Sequence, residues 1–376
     1  MDEVEMVSDL SRRRLGWFAA GAALLLVVSG FGLLVYRVQH PSTPTAVSTP
    51  RPTGSLVLLE TDAPTVAVPP PGSDLDGPLN LLLVGLDTRA SIRNWQPHAD
   101  AVLVMHLPAG LAKGYLFSLP RDLVVDVPAD ADSGFGGGRM KLTEAMTHGS
   151  RVPGKLRPDV QQGLELLGET VSRYTGIAEF DASAALTFSG FSRLTDALGG
   201  VTLRIDQKVV SKHNRPDGTH RTVVPGGYVG PQMVYRPGVR TLVGWQATDY
   251  ARQRYTAGGD YTRQRHQQQL VKALLTKASG SALATDQGRL QRILTVLGDT
   301  LTFDGQGTDP IAFAYALRAL DPEQLTLVGL PGSGVGTGSN YRGERLRKTG
   351  RDFLAALVAG EQDAFLAANP KLINKS

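Results

Sequence analysis

The sequence has no cysteine among its 376 residues, which excludes disulfide bonds, zinc sites of the cysteine type and thiol nucleophiles. Neither G-x-S-x-G nor H-E-x-x-H occurs, so a hydrolase triad on a nucleophile elbow and a zinc peptidase both lack support. The seven histidines are scattered, without the spacing of a metal site. The formal net charge is only +4, so the total charge does not indicate a nucleic-acid partner, and we expect none.

What the sequence does contain is the composition of a packed domain, since 41% of its residues are hydrophobic and 20% are charged. Its length allows one large domain or two smaller ones. Arginine outnumbers lysine in a chain whose pI is about 9.2. This excess is informative because a guanidinium can bind a phosphate through two hydrogen bonds at once.

Residues 15–36 read LGWFAAGAALLLVVSGFGLLVY and contain no charged side chain. At ~1.5 Å per residue, this run can cross a ~30 Å hydrocarbon core, and it does not end in the small-residue site of a cleaved signal peptide. Three arginines, 12–14, precede it, and positive residues stay on the cytoplasmic side. We therefore expect a single-pass plasma-membrane protein with residues 1–14 in the cytoplasm and the large domain outside the cell.

The chain beyond this span divides by composition. Residues 37–78 are rich in Pro, Ser and Thr, which is typical of a semi-rigid spacer. Residues 79–360 alternate apolar runs with helical patterns, which indicates one α/β domain, an αβα arrangement with a central mixed sheet flanked by helices. Residues 361–376 are expected to form a C-terminal tail appended to that domain. The predicted strands are 79–87, 101–107, 115–120, 201–205 and 325–330, and the predicted helices are 161–174, 182–198, 263–278, 290–297, 311–319 and 348–359.

Two aspartates flank the connection between the first two predicted strands. Asp87 lies where the first strand ends, in GLDTR, and Asp100 lies at the start of the second. Ligands of open α/β sheets bind beyond the carboxyl ends of strands, and a hairpin-like return would bring the two side chains together. Two converging carboxylates suit a hard cation such as Mg²⁺. The alternative is that both are loop-end carboxylates that accept hydrogen bonds from backbone N–H groups.

Basic side chains recur at two later motifs. SLPRD places Arg121 and Asp122 at another strand end, where the alternative is a weak surface ion pair. ARQR, 251–254, alternates two arginines, which on a strand would share a face. The following GDYTRQRHQQQ places Arg263 and Gln267 on one face of a helix. Cations gathered in this way favour a polyanionic ligand, although a solvated basic face has the same pattern.

Two glycine-containing segments resemble ligand loops without meeting their requirements. GSRVPGKL, 149–156, has leucine where a phosphate-binding P-loop needs Ser or Thr, and no predicted strand precedes it. PGSGVGTG, 331–338, is not followed by a helical pattern. We expect a flexible loop at the second segment and assign no site to either.

Six motifs in order resemble the LytR-CpsA-Psr (LCP) family of cell-wall ligases: NLLLVGLDTR, ADAVLVMHL, FSLPRD, KLTEA, FSRLTDALGGV, and ARQR with GDYTRQRHQQQ. The resemblance implies an Mg²⁺-dependent phosphotransferase that moves a glycopolymer from a polyprenyl-pyrophosphate carrier to peptidoglycan through a phosphodiester bond. The partners that it implies are the lipid-linked glycopolymer, peptidoglycan and the membrane.

Carried over position by position, the resemblance implies roles for particular residues. Asp87 and Asp100 match the pair that binds Mg²⁺. The catalytic residues that it implies are Asp100, Arg121 and Asp122, and the sequence does not choose which aspartate accepts the proton of the attacking hydroxyl. The residues that it implies for the pyrophosphate are Arg89, Arg121, Lys141, Arg252, Arg254, Arg263 and Gln267.

The sequence departs from the family pattern at His98 and His266, which stand where arginine is usual. One cationic phosphate contact is therefore expected to be weaker, or pH-dependent. Two other functions would use the same site. With water as acceptor the protein would be a polyprenyl-pyrophosphate phosphatase, and without turnover it would be a binding protein for lipid-linked polymer.

Overall fold

The apolar runs predicted as strands form the central sheet of the molecule, seen in a computed structural model that describes residues 72–88, 95–279 and 286–375. All of these residues belong to one compact unit. The strands are β1 (Leu79–Asp87), β2 (His98–Leu107), β3 (Gly114–Leu119), β4 (Val124–Val127), β5 (Gly138–Lys141), β6 (Ala182–Thr187), β7 (Val201–Ile205), β8 (Val209–Val210), β9 (Thr222–Val224), β10 (Gly227–Val229), β11 (Val234–Tyr235), β12 (Gly238–Leu242), β13 (Leu301–Asp304), β14 (Leu325–Val328), β15 (Gly332–Val335) and β16 (Gly343–Leu346). The helices are α1 (Leu142–Gly149), α2 (Val160–Thr175), α3 (Phe188–Ala197), α4 (Gly244–Arg252), α5 (Gly259–Ser279), α6 (Gln287–Leu297), α7 (Pro310–Ala316), α8 (Lys348–Val358) and α9 (Gln362–Ala368).

The central sheet has six strands in the order β13-β6-β1-β2-β3-β14. β2 is antiparallel to β1 and β3, whereas β6 is parallel to β1 and β14 is parallel to β3. β1, β3, β6 and β14 therefore end at the same edge of the sheet, where ligands of open α/β sheets bind. The prediction of a central mixed sheet flanked by helices is confirmed.

Helices pack on both faces of this sheet because its central strands are apolar on both sides. Leu82, Val84 and Leu86 of β1 point into one layer, to which α1, α2, α8 and α9 contribute. Leu79 and Leu81 point into the other layer, where α5 and α7 pack. A separate cluster joins β7, β12, α4 and the middle of α5. α5 thus connects the sheet to a smaller subregion that carries the ARQR motif.

Two segments differ from their predictions. The helix predicted for 182–198 is wrong in its first third, because β6 pairs with β1 and β13 inside the sheet. The helix begins only at Phe188, where Thr187 Oγ1 accepts a hydrogen bond from Gly190 N at 3.1 Å. The flexible loop expected at 331–338 is also wrong, because β15 pairs with β16 in a hairpin.

The segment after residue 360, expected to be an appendage, packs against the sheet instead. α9 contributes Leu366 to the main core, and Leu372 lies in the same cluster. Gly329 N donates to Leu372 O at 2.7 Å, and Asn374 N donates to Leu327 O at 2.8 Å. These contacts make the segment an integral part of the folded domain.

The predicted cytoplasmic segment 1–14 and membrane span 15–36 lie outside the described residues, as does the spacer 37–78 up to residue 71. Among the helices that the structure describes, none combines the length and the apolar character needed to span a bilayer. The predicted topology therefore stays a prediction.

Candidate functional site

A β-bulge places Asp100 at the edge of the sheet where β1 ends. The ladder between β1 and β2 is irregular after Gly85, and Asp100 is the extra residue on β2. Bulges are frequent beside active sites because they redirect a side chain. Asp87 pairs with His98 at the end of the same ladder. The two predicted metal ligands therefore lie on neighbouring strands at one edge.

Arg121, which follows β3, bridges two carboxylates. Its Nη1 donates to Asp100 Oδ1 at 2.5 Å, and its Nε lies 3.8 Å from Asp122 Oδ2. Asp122 Oδ1 in turn lies 3.0 Å from Lys141 Nζ. Burial alone would lower the pKa of Arg121, but the neighbouring carboxylates, Asp100 first, outweigh burial and raise it. The guanidinium is therefore charged at any physiological pH and forms the centre of a chain of alternating charges.

The backbone around this chain of charges is fixed from two sides. Thr143 N, in the first turn of α1, donates to Arg121 O at 2.9 Å. Such N-terminal donors lack acceptors within their own helix, so the bond satisfies a group that α1 itself leaves open. From β16, Glu344 N donates to Asp122 O at 2.7 Å. The SLPRD motif is thus held between α1 and the β15–β16 hairpin.

Arg263 of α5 is a buried cation, with a side chain only 5% exposed. Its Nη2 donates to the backbone oxygen of Asp100 at 2.8 Å and lies 2.9 Å from Asp260 Oδ1. Burial is the main cause that lowers the pKa of Arg263. Asp260 opposes that shift, whereas the positive charges of Arg121 and Arg254 add to it. The structure therefore joins Arg121 and Arg263 through Asp100, and it places Arg254 near enough to Arg263 for its charge to lower the pKa of Arg263.

The ARQR motif lies at a helix end and not on a strand. Arg252 is the last residue of α4, and extended backbone at Gln253 leaves Arg252 and Arg254 exposed while Gln253 is buried. The Arg252 guanidinium packs over the Phe188 ring, with Cζ 4.0 Å from the ring centroid. Arg254 lies 5.6 Å from the centroid of the Tyr255 ring. The two arginines therefore lie on the same, exposed side of the backbone, as predicted for a strand, because α4 ends at Arg252 and the next residue is extended.

Several buried polar atoms at the site have no hydrogen-bond partner among the described residues. They include Arg121 Nε, Arg263 Nε and Gln267 Oε1. Gln267 Nε2 donates to Ala251 O at 3.4 Å, which ties α5 to the residue before Arg252. Leaving a buried donor unpaired costs ~1–3 kcal/mol, so an acceptor beyond the described residues would stabilise these two guanidinium N–H groups.

Asp87 and Asp100 fit a divalent cation as a partial ligand set. Within the described part of the chain, the Asp87 carboxylate has no ion pair or hydrogen bond, and Asp100 is bound by Arg121 through Oδ1. Mg²⁺ is commonly held by one or two carboxylates together with waters and substrate phosphates. No cluster of three or more potential ligands occurs in 72–88, 95–279 and 286–375. The predicted phosphate contact Arg89 lies outside the described residues.

Sequence analysis missed four residues around this site, namely Asp260, Tyr261, Tyr341 and Glu344. Glu344 accepts a hydrogen bond from Tyr261 at 2.9 Å and another from Tyr341 at 3.0 Å. The hairpin can pack this closely because residue 332 is glycine, where a Cβ atom would lie 2.0 Å from the Tyr261 hydroxyl. The glycine run at 331–338 was the available signal, since closely spaced glycines also mark close backbone approach.

His266 contacts the core and not the arginines. It is fully buried, its ring stacks on Tyr250 at 4.3 Å, and its Nε2 lies 3.3 Å from Asp206 Oδ1. Burial lowers the pKa of His266 to about 4, against the opposing charge of Asp206. The imidazole is therefore neutral at pH 7 and makes no cationic phosphate contact. His98 shares a hydrogen bond with Thr147 Oγ1 at 2.9 Å.

We expect acid to destabilise the protein through His266. The pKa is about 4 in the folded state and 6.5 in an exposed imidazole, so the unfolded chain binds more protons between these values. The stabilisation is complete above pH 6.5 and decreases as the pH falls, by ~2 kcal/mol between about pH 7.5 and pH 5 for this residue alone. Urea unfolding at both pH values measures the difference.

Two variants isolate this contribution. His266→Phe keeps the ring stack and removes the titration, so it should lose that part of the pH dependence. His220→Gln, at an exposed position, should keep the parent's pH dependence. An unchanged pH dependence in His266→Phe would contradict the assignment.

The described site residues, from Asp87 to Glu344, lie within a region of family similarity. The sequence model of the LytR_cpsA_psr family matches residues 58–349. The polyisoprenyl-teichoic acid–peptidoglycan teichoic acid transferase TagU of Enterococcus faecalis is 26% identical over 263 residues, which cover 69% of this chain and 73% of TagU. The probable cell wall biosynthesis protein LcpB of Corynebacterium glutamicum is 27% identical over 212 residues, which cover 53% of this chain and 42% of LcpB.

The fold is shared with solved structures. The crystal structure of TagV from Bacillus subtilis aligns with a TM-score of 0.57 and 19% sequence identity, covering 77% of this chain and 98% of the TagV chain. At this identity the similarity establishes the fold alone.

Proposed function

The chain belongs to the LytR-CpsA-Psr family, and from this premise we propose that it is a cell-wall phosphotransferase. The reaction is the transfer of a glycopolymer from a polyprenyl-pyrophosphate carrier to peptidoglycan through a phosphodiester bond. The names of two relatives support a cell-wall role, since TagU is a teichoic acid–peptidoglycan transferase and LcpB is a cell wall biosynthesis protein.

The observation that carries this proposal is the convergence of Arg121 and Arg263 on Asp100 at the strand ends, where one donates to Oδ1 at 2.5 Å and the other to the backbone oxygen at 2.8 Å. Like charges repel when they are brought together out of water, so such a cluster needs a counter-charge. Asp100 and Asp260 supply part of it, yet two guanidinium N–H groups stay buried without an acceptor among the described residues. A pyrophosphate would supply both the missing negative charge and the acceptor oxygens.

In the proposed reaction an acceptor hydroxyl attacks the phosphorus that carries the glycopolymer. The bond from that phosphorus to the bridging oxygen breaks, and polyprenyl phosphate leaves while Asp122 takes the hydroxyl proton. Arg121 and Arg263 would stabilise the negative charge that develops on the leaving phosphate. We assign the base to Asp122 because Asp100 Oδ1 is bound by Arg121 at 2.5 Å and Asp100 is also a proposed metal ligand. Asp122 Oδ1 faces Lys141 at 3.0 Å, but its Oδ2 lies 3.8 Å from the Arg121 guanidinium and accepts no hydrogen bond within the described residues.

We also propose Mg²⁺ as a cofactor, with Asp87 and Asp100 as its protein ligands. The bound ion would neutralise charge on pyrophosphate oxygens. The proposal is supported by the position of both aspartates on adjacent strands at one edge of the sheet. The carboxylate of Asp87 also lacks an ion-pair partner in the region that the structure describes.

Asp87→Asn should raise the Mg²⁺ concentration needed for half-maximal transfer by roughly tenfold or more, because one of two carboxylate ligands is lost. Mg²⁺ should also raise the Tm of the parent but not that of Asp87→Asn, since an ion that binds only the folded state stabilises it. Asp126→Asn, at an exposed position paired with Arg139, is the control and should behave as the parent does. Full parental activity in EDTA would refute the metal role.

Labelled lipid-linked glycopolymer, incubated with and without peptidoglycan, tests the reaction itself. A transferase moves the label into peptidoglycan. A polyprenyl-pyrophosphate phosphatase cleaves the donor equally well without the acceptor, and a binding protein retains it unchanged. Label that never enters peptidoglycan would overturn the proposed function in favour of one of these two alternatives.

An apolar cavity of ≈ 160 Å³ is a candidate for part of the lipid chain. Leu275 of α5, Leu290 of α6 and Leu317 line it. Leu275 lies just over three turns beyond Arg263 on α5, about 18 Å along the helix axis. We propose that α5 contacts the pyrophosphate at one end and the lipid near the other.

Leu290→Gln should weaken binding of a long-chain donor by roughly tenfold while leaving a short, water-soluble donor unaffected, because burying an unpaired amide against a lipid chain is costly. Titration of the detergent-solubilised protein with both donors measures the difference. Val296→Gln, at an exposed position of the same helix, is the matched control. Equal losses for both donors would contradict the lipid assignment.

We propose that residues 79–360 work outside the cell and that residues 15–36 anchor them to the plasma membrane, since peptidoglycan lies outside. The membrane, the lipid-linked polymer and peptidoglycan are then the partners, with no role for nucleic acid. A reporter that is active only in the cytoplasm, fused after residue 376, should be silent. Activity of that reporter would overturn the localisation.

A further inference from the structure

A second cavity, of ≈ 420 Å³, lies beyond the C-terminal end of α1 and is open to solvent, so that the basic side chains lining it are exposed. The GSRVPGKL segment and the arginine that follows it supply three of its lining cations, Arg151, Lys155 and Arg157. Gln96 and Ser133 line it from neighbouring loops, and none of its lining residues is acidic. Its volume falls in the range of sites that take small ligands, ~300–1,000 Å³.

The three cations have no ion-pair partners in the part of the chain that the structure describes. Two carboxylates of the same loops are engaged with backbone N–H groups: Asp159 accepts from Gln161 N at 3.0 Å and Asp130 accepts from Ser133 N at 3.0 Å. Asp132, next to Ser133, is exposed and forms no ion pair with the three cations. The buried Oε1 of Gln96, a hydrogen-bond acceptor, has no partner among the described residues. Positive charge without ion-pair partners favours an anionic ligand, and the Gln96 oxygen favours one that also carries a hydrogen-bond donor, such as a peptide N–H.

The loop that carries these cations is fixed before any ligand binds. Gln162 Nε2 donates to the backbone oxygen of Arg151 at 2.8 Å, and Asp159 N donates to Ser150 O at 2.8 Å. Ser150 itself is fully buried. Because the backbone of the loop is already held in place, binding of a ligand costs less conformational entropy.

We propose that this cavity binds peptide carboxylates of the peptidoglycan acceptor, an inference that rests on the proposed function. α1 begins directly after Lys141, which pairs with the proposed base Asp122, and it ends before Arg151. Its eight residues span about 12 Å. In peptidoglycan the peptide is attached to a muramic acid sugar, so a hydroxyl held at Asp122 would carry peptide carboxylates toward the cavity. Guanidinium groups suit carboxylates because both are planar and pair through two hydrogen bonds.

The test is binding of a soluble muropeptide to the full chain in detergent, measured by titration calorimetry. The parent should bind the muropeptide with free carboxylates, and the triple variant Arg151→Ser, Lys155→Ser, Arg157→Ser should bind it about tenfold more weakly or worse. The amidated muropeptide should bind weakly to both proteins. Equal affinity of the parent for the two muropeptides, or of the two proteins for the acidic one, would overturn the inference.

A second triple variant controls for the loss of charge. Arg193→Ser, Lys277→Ser, Lys371→Ser removes three exposed cations that do not line the cavity, and it should bind the muropeptide as the parent does. If the cavity variant instead loses affinity for the lipid-linked donor, the ligand is the donor polymer and the inference is wrong. If the cavity variant transfers glycopolymer at the parental rate, the cavity assignment is refuted and the proposed function stands. Cavity-dependent muropeptide binding without transfer would refute the proposed function alone.

Discussion

Replacing Asp122 with Asn is expected to lower the rate of transfer by about 10²–10⁴-fold, the usual contribution of a general base. Asn keeps the size of the side chain and an oxygen that can face Lys141, but it cannot take up the proton. The backbone oxygen of residue 122 still accepts from Glu344 N at 2.7 Å, so the fold should persist. Single-turnover rates at saturating donor separate this chemical defect from a binding defect.

Two further variants decide whether the base is assigned correctly. Asp126→Asn changes a carboxylate that pairs with Arg139 on the surface, and it should transfer at the parental rate. Asp100→Asn should reduce donor binding and the response to Mg²⁺, because that carboxylate holds Arg121 and is a proposed ligand. If Asp122→Asn transfers at the parental rate and Asp100→Asn loses the chemical step, Asp100 is the general base and the assignment to Asp122 is wrong.

The sheet could be predicted because its strands carry their own pattern. The run predicted at 79–87 coincides with β1, since apolar residues on both faces of a short segment favour a buried strand. The strand at 182–187 was missed because ASAALT contains good helix formers and continues into a helical pattern. Its conformation is decided by pairing with β1 and β13, a tertiary effect that local propensity does not report.

The site could be predicted only where function leaves a motif in the sequence. Asp100, Arg121 and Arg263 belong to such motifs, and the structure joins them through contacts at 2.5 and 2.8 Å. Glu344 has no motif of its own, because its place beside Asp122 depends on how the β15–β16 hairpin docks. His266 lies inside an arginine-rich motif, yet its position on α5 turns it into the core, where burial decides its charge.

Arg121→Lys is expected to weaken binding of the lipid-linked donor by roughly ten- to a hundredfold, although it keeps the positive charge. The guanidinium donates to Asp100 through Nη1 while its Nε faces Asp122 and stays without a hydrogen-bond partner among the described residues. A single amine cannot serve two carboxylates and a phosphate oxygen in those directions. Losing a hydrogen bond to a charged group costs ~1.5–3 kcal/mol, and each 1.4 kcal/mol is about tenfold in affinity. Titration with a polyprenyl pyrophosphate measures the change.

The control for this prediction is the same substitution, Arg to Lys, at an exposed position outside the site. Arg139 pairs with Asp126 at 2.9 Å, but the two side chains are 66% and 77% exposed, and such pairs contribute little. Arg139→Lys should therefore bind the donor as the parent does. If Arg121→Lys also binds with parental affinity, positive charge alone suffices at this position. The buried Nε would then have no ligand to bind, and the carboxylate neighbours Asp100 and Asp260 alone would explain why Arg121 and Arg263 lie together.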